Sequence, residues 1–527
     1  MQFRRIIFVA ACIACLPIEP AFGIEGQPES HPNADNPAEW RNLALQRAFA
    51  MASSVDDPYR RAEVLASIAR TQASTGDESA VNRTIHQALA AAAQVREVAF
   101  RGWVLHDIMQ AQIAAEDLYG ARETASRIEA DRPHGAALAF LANLQLRGGD
   151  LDAAQATARK IRDVGAQGEA LRQIVAVEAA RGEVNAARSV LPLIKDSFYQ
   201  RLARGDVVVE EVRAGNIDRA YELAERARRR DRAEIYGRIA LARVEASDLR
   251  GAAETLQKID DILHRAVVQG RIAAAHAQAG EKDVAARLFV SAIGSVEGAE
   301  SAERKALILA QIARLQASAG DRTAARETLR RARVLANRMA TGEERDDTVD
   351  YIARGQARAG DAAGALDSAL QLNDRVARAL LVRDVVTLQR DATSTSASAS
   401  AAAFDDPLIE AAAQFGVLGV QLLRTAQPLS HDAIEIARAA VRRIDDRQLR
   451  PAAFSALAAA RLRSGDVEAS GAIFREALAA AESLERPEQR AAALVRIATA
   501  LDDRLIFLGQ PADAAADKAE NKDVRSP

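Results

Sequence analysis

The sequence predicts an all-α fold, an α-solenoid of stacked antiparallel helical hairpins. Three observations carry that expectation. A motif recurs every 32 to 40 residues through most of the chain, and most copies centre on a Gly-Asp step. Of 527 residues, 49% are hydrophobic but only 4% aromatic. Much of that apolar content is alanine, the best intrinsic helix former, which favours closely packed helices.

Each element follows from the repeat. With the glycine of Gly-Asp as anchor, ten sites align: Gly76, Glu116, Gly149, Gly182, Gly215, Ser247, Gly280, Gly320, Gly360 and Gly465. Spacings from Gly76 to Gly360 are 40, 33, 33, 33, 32, 33, 40 and 40. The next residue is always Asp, Glu or Asn. Eight residues before the anchor stands a large aliphatic, from Ile68 to Leu457. Seven before it, seven of ten are Ala; five after it, eight of ten are Ala. Twelve after it, all ten are Ala, Ile or Leu.

The columns have physical roles. Glycine tolerates the left-handed conformation that closes a helix. The acid that follows can accept from a free backbone N–H of the next helix and suits its positive end. Positions −11, −8, −7 and −3 make one apolar helix face, and +5, +9 and +12 make another. Small residues at −7 and +5 let the two helices approach. Stacked hairpins then bury a core that no single one could. Seven extra residues are close to two helical turns. The longer units are therefore expected to gain a turn on each helix with the same faces inward.

"GDLDAA" (149–154), "GNIDRA" (215–220) and "GDAAGA" (360–365) resemble the turn of a tetratricopeptide repeat, with its Gly-Asp-x-x-x-Ala core. The resemblance covers roughly residues 55–390 and 450–505. The family's aromatic positions are mostly aliphatic or polar here, its proline near the repeat end is missing, and its 34-residue period wavers. The resemblance implies a tetratricopeptide-like superhelix that binds a protein or peptide along a groove. Other helical-hairpin solenoids satisfy the same columns.

The flanks read differently. Arg4 and Arg5, the apolar run 6–18 and "AFG" (21–23) form a secretory signal peptide cut after Gly23, which predicts a periplasmic or secreted protein. Cleavage removes Cys12 and Cys15, the only two cysteines, so the mature fold is expected to hold no disulfide or thiolate site. A second reading takes "VAAC" (9–12) as a lipoprotein signal with a lipid on Cys12. No other stretch is apolar and long enough to span a bilayer. The expected order is a mobile arm at 24–45, repeats at 46–391, a Ser/Thr/Ala-rich loop or linker at 392–406, C-terminal helical repeats and a capping helix at 407–508, and a disordered tail at 509–527.

Chemistry is sparse. The net charge is −3, from 70 basic and 73 acidic residues, which gives no electrostatic case for nucleic acid. The seven histidines show no ligand spacing, and there is no phosphate loop or nucleophile elbow. No catalytic residue, metal or cofactor is assigned. Trp40 and Trp103 are expected to be packing residues.

Two columns stand out. Position −4 is polar in all ten units: Gln72, Gln112, Gln145, Glu178, Glu211, Arg243, His276, Gln316, Gln356 and Arg461. It lies within the apolar stripe, so these groups must be bonded or reach water. They are expected to bond carbonyls or the turn of a neighbouring hairpin, or else to snorkel outward. Positions −6 and −2 would face the concave side if the family geometry holds. They hold Arg314, Arg354, Arg358, Arg147, Arg213 and Asn143, with Arg463 and Gln278. Such arginines could grip carboxylates of an acidic peptide, or pair with nearby acids.

The function expected is an exported, non-catalytic scaffold or adaptor for a protein or peptide partner. A polymer- or glycan-binding accessory subunit is the alternative and predicts exposed aromatics. The third reading is an enzyme with its site in 404–450.

Overall fold

The computed structural model describes residues 36–299, 301–388, 404–424, 429 and 431–501. The expected signal peptide, Cys12, residues 24–35, most of the linker and the 509–527 tail lie outside them. Among the described residues there are 25 helices and no strand, packed in neighbouring pairs as an α-solenoid. No described helix is long and apolar enough to cross a membrane.

The chain forms two compact units, one from the segments up to Glu129 and from Asp374 onward, the other from Ala130–Asn373. The first opens with Pro37–Ala52 (α1), Pro58–Gln72 (α2), Glu78–Ala93 (α3), Val98–Ala114 (α4) and Leu118–Ser126 (α5). The second contains Asp131–Arg147 (α6), Leu151–Arg159 (α7), Val164–Ala180 (α8), Val184–Val190 (α9), Ser197–Arg213 (α10), Ile217–Glu225 (α11) and Arg229–Glu245 (α12). It continues with Leu249–Leu256 (α13), Ile262–Gln278 (α14), Lys282–Glu297 (α15), Ala302–Ser318 (α16), Arg322–Ala336 (α17), Glu343–Arg358 (α18) and Ala362–Ala369 (α19). The first unit ends with Arg375–Leu388 (α20), Pro407–Arg424 (α21), His431–Arg443 (α22), Arg450–Arg463 (α23), Val467–Glu482 (α24) and Pro487–Ala500 (α25).

All ten anchors have positive φ, from 60° at Ser247 to 87° at Gly320. Each stops a first (A) helix and starts a second (B) helix. In nine hairpins the N–H at +1 donates to the carbonyl at −4, as Asp361 does to Gln356 at 2.8 Å, closing a left-handed helix cap. Asp at +1 then caps the B helix: Asp150 accepts from Ala153 N at 3.0 Å and Asp361 from Gly364 N at 3.0 Å. Glu183, Asn216 and Glu281 make no such bond. The acid column therefore caps where it is Asp, whose short side chain reaches the free N–H groups.

The seams are buried as the spacing demands. Ile68, Ile239 and Ile312 at −8 and Ala121, Ala220 and Ala325 at +5 are fully buried. In unit 2 one continuous cluster runs from Ala142 to Ile272. The longer units correct one expectation. A helices keep 14 to 17 residues, while the B helix grows from 9 in α5 or α7 to 16 in α3 and α15. Both extra turns fall on the B helix, because the A helices pack on one another from hairpin to hairpin and must match in length.

Two boundaries also shift. The arm was expected to reach residue 45, but helix starts at Pro37, with Asn36 Oδ1 accepting from Ala38 N at 3.0 Å. The expected capping helix α25 is instead an A helix, and α1 is its B helix. Trp40 stacks on Phe474 at 5.3 Å, Arg47 pairs with Glu482, and Thr71 Oγ1 lies 3.3 Å from Thr499 Oγ1. Ala491, Leu494, Ile497 and Ala498 are buried, so α25 offers its apolar residues to neighbours on both sides.

The irregular region is stapled by charge. The Arg375 guanidinium bonds both Asp406 oxygens at 2.7 and 2.8 Å and Asp445 at 3.1 Å. Gly416 lets α21 approach α20; a Cβ there would lie 2.7 Å from the Arg383 carbonyl.

Candidate functional site

Seven of the ten −4 residues are buried and Gln145, Arg243 and His276 half-buried, and five of the ten bond the acid of their own turn. Gln112 donates to Asp117 at 3.4 Å, Arg243 to Asp248 at 2.8 Å, Gln356 to Asp361 at 3.3 Å and Arg461 to Asp466 at 2.5 Å. His276 Nδ1 lies 2.6 Å from Glu281. Glycine at +4 leaves room: a Cβ on Gly120 would lie 2.5 Å from Gln112 Nε2. Three members also meet a neighbouring hairpin. Arg243 reaches Tyr221, Arg461 reaches the Leu429 carbonyl, and Glu211 accepts from Arg188. Glu178 departs from the rule, since its +1 partner is the acid Glu183. It is buried, with one oxygen unbonded. Burial, then Glu183 and Asp152, push its carboxyl above the usual range.

The bond expected of −4, to the carbonyls or turn of a neighbouring hairpin, is made mainly at −15, to a carbonyl of the hairpin before. Arg61 donates to Val55 O at 3.1 Å, Arg101 to Val95 O at 3.1 Å, Gln167 to Ile161 O at 2.9 Å and Gln200 to Ile194 O at 3.2 Å. Arg490 does the same to Leu484 O at 2.5 Å, and Arg450 to Ile444 O. The carbonyl belongs each time to a buried aliphatic just past the B helix. The repeated Arg or Gln six residues beyond that aliphatic was a signal available in the sequence.

The structure separates the arginines of the −6 and −2 columns. Arg314 on α16 and Arg354 and Arg358 on α18 occupy adjacent A helices. Asn143 and Arg147 on α6 and Arg213 on α10 are divided from them by α12 and α14. Arg354 bonds Asp350 at 2.9 and 3.2 Å, and Arg213 bonds Glu210 at 2.5 Å and Glu245 at 2.9 Å. Asn143 donates to Gln173 on the next A helix. Arg147 is exposed and Arg358 half-buried. Arg314 is half-buried, and its Nε has no partner among the described residues.

The cavity on this face lies further toward the A-helix starts, along the same stripe at −9, −13 and −16. It is an open groove of ≈ 340 Å³ across α12, α14 and α16. Leu241, Val267, Leu307 and Ile308 form its apolar floor; Arg238, Arg271, Arg304 and His264 stand around it, with one carboxylate, Glu234, at the α12 side. The −6 and −2 columns mark only the C-terminal half of this stripe.

Unit 1 has a different surface. Phe100 is 53% exposed and Trp103 37%. Tyr59 lies 5.3 Å from Phe100, and Trp103 makes an edge contact with His106 at 5.9 Å. Trp40 is a packing residue as expected; Trp103 is 37% exposed, because it stands at −13 on the same A-helix stripe as Val267 and Leu307, outside the apolar seam.

No protein-family model matches the chain, nor does any curated protein sequence. Solved structures align with it, two among them at low identity. One is Ton1535 from Thermococcus onnurineus NA1, at 17% identity over 62% of this chain and 98% of that one, with a TM-score of 0.27. The other is a circular tandem repeat protein with novel repeat topology and enhanced subunit contact surfaces. It aligns at 15% identity over 83% and 97%, with a TM-score of 0.16. The class defined by the fold is an all-helical repeat protein.

Proposed function

We propose that this protein is an exported, non-catalytic scaffold of divergent tetratricopeptide-like hairpins that holds a protein or peptide partner against its A helices. The observation that carries the reading is the groove across α12, α14 and α16. Its floor is apolar, and it opens on the stripe that the repeat leaves free of hairpin packing. A cleft with an apolar floor and charged margins suits helical or extended peptide segments. Cross-linking capture from the native envelope tests it. Val267→Glu with Leu307→Glu should lose the partners recovered by the parent chain while keeping its helical circular dichroism. Capture of the same set would overturn the reading.

The exposed aromatics of unit 1 favour the polymer- or glycan-binding alternative. Trp103 and Trp40 are the chain's two tryptophans. A Trp40→Phe chain should report any oligosaccharide at Trp103 by a fluorescence change, and no change across a polysaccharide panel would remove this alternative.

A further inference from the structure

Resting on the peptide-groove reading, we propose that the partner is an acidic, linear peptide segment with an aliphatic anchor, selected by Arg271 and Arg304.

The charge pattern along the A-helix stripe of unit 2 points to it. Over α8, α10 and α12 the protein neutralises itself. Arg172 and Arg238 both bond Asp206, at 3.1 and 2.9 Å. Arg201 pairs with Glu234, and Asp231 lies 3.9 Å from it. Glu234 also lies 3.8 Å from Arg238. At α14 the acids stop. That helix, "ILHRAVVQGRIAAAHAQ", holds no carboxylate, and α16 holds only Glu303, in its first turn. Arg271 and Arg304 are exposed at the groove and have no ion pair among the described residues. Further along the same stripe of α16, Arg314 leaves its Nε buried and unbonded. At α18 pairing resumes, with Arg354 on Asp350.

Two adjacent A helices thus present cations with no ion pair among the described residues, between Arg238, answered by Asp206, and Arg354, answered by Asp350. The cations border the apolar floor of Val267, Leu307 and Ile308. A phosphate polymer would meet the charges and leave that floor in water. A peptide with carboxylates around an aliphatic side chain meets both, since Arg presents a fork of donors matched to carboxylate.

Fluorescence anisotropy on the full chain tests this with three short labelled peptides. One has a central Leu flanked by Glu, one has Gln in place of Glu, and one has Ser in place of Leu. The acidic Leu peptide should bind roughly tenfold or more tighter than either control. Its affinity should fall as salt rises, because exposed charges are screened. Arg271→Glu and Arg304→Glu should each weaken it roughly tenfold with unchanged melting. Equal binding of the Gln peptide, or no binding of the acidic one, would overturn the proposal. If the Gln peptide binds, and Val267→Glu with Leu307→Glu abolishes that binding, the groove reading survives without the charge selection. If no peptide binds and that double variant still captures the same envelope partners, both readings fall.

Discussion

Gln356 Nε2 donates to Asp361 Oδ2 at 3.3 Å across the left-handed Gly360 turn, while Ser368 Oγ donates to Gln356 Oε1 at 2.7 Å. One buried amide therefore ties the end of an A helix to its turn and to the B helix that follows. The −4 column acts within a hairpin first and between hairpins second.

The first prediction concerns Glu178, which faces Glu183 where other hairpins place a donor opposite an acid. Its carboxyl pKa is raised, by burial first. A raised acid pKa gives stability that is complete below the unfolded value, near 4.5, and is lost as pH rises through the folded one. Glu178→Gln should stabilise the protein by about 1 kcal/mol at neutral pH, as relief of an unbonded buried group does. The gain should vanish toward pH 4. Urea melts across pH measure both; a gain that persists unchanged in acid would contradict the assignment.

The anchors make a second prediction. Glu116 and Ser247 hold φ of 62° and 60° without being glycine. Changing either to Gly should stabilise by about 1 kcal/mol, the cost of a side chain in left-handed backbone. Gly320→Ala should lose about as much, although a Cβ there meets nothing within 4 Å. Denaturant midpoints on the three single variants decide it.

The carbonyl clamp supplies a third. Gln167→Ala removes the donor to the Ile161 carbonyl and should cost about 1 kcal/mol. Hydrogen exchange should quicken at the α7–α8 junction more than elsewhere in unit 2. Uniform quickening would mean the bond does not hold that junction.

The charge staple gives the fourth. Arg375 holds the Asp406 carboxyl below its usual range, and Arg375 itself is raised by the same bonds. A depressed acid contributes stability above the unfolded value of 3.8 and loses it as pH falls through the folded one. Arg375→Ala should cost on the order of 1 kcal/mol at pH 7, allowing for solvent screening. The difference should shrink in acid. A constant difference from pH 7 to pH 2 would show that the staple is not electrostatic.

Much of the fold was legible because its signals are local. A glycine at the anchor, an aspartate after it and aliphatics at −8 each report conformation or burial within one hairpin. Both non-glycine anchors obeyed the column, so position in the repeat outweighed residue type. The groove was half legible. Arg314 and Arg354 marked the right stripe, but pairing depends on which acids neighbouring rungs bring near, as Asp206 does for Arg172 and Arg238.

The sequence by itself determined the hairpin, its stops, its caps and its buried seams, because helix termination and amphipathic spacing act over a few residues. Only the tertiary structure decided that α1 is the second helix of α25's hairpin, with Trp40 on Phe474 and Arg47 on Glu482. An A helix carries no label for the distant B helix it will bury, since apolar burial is non-directional. Packing chose the partner, and the same packing left Arg271 and Arg304 without an ion pair among the described residues.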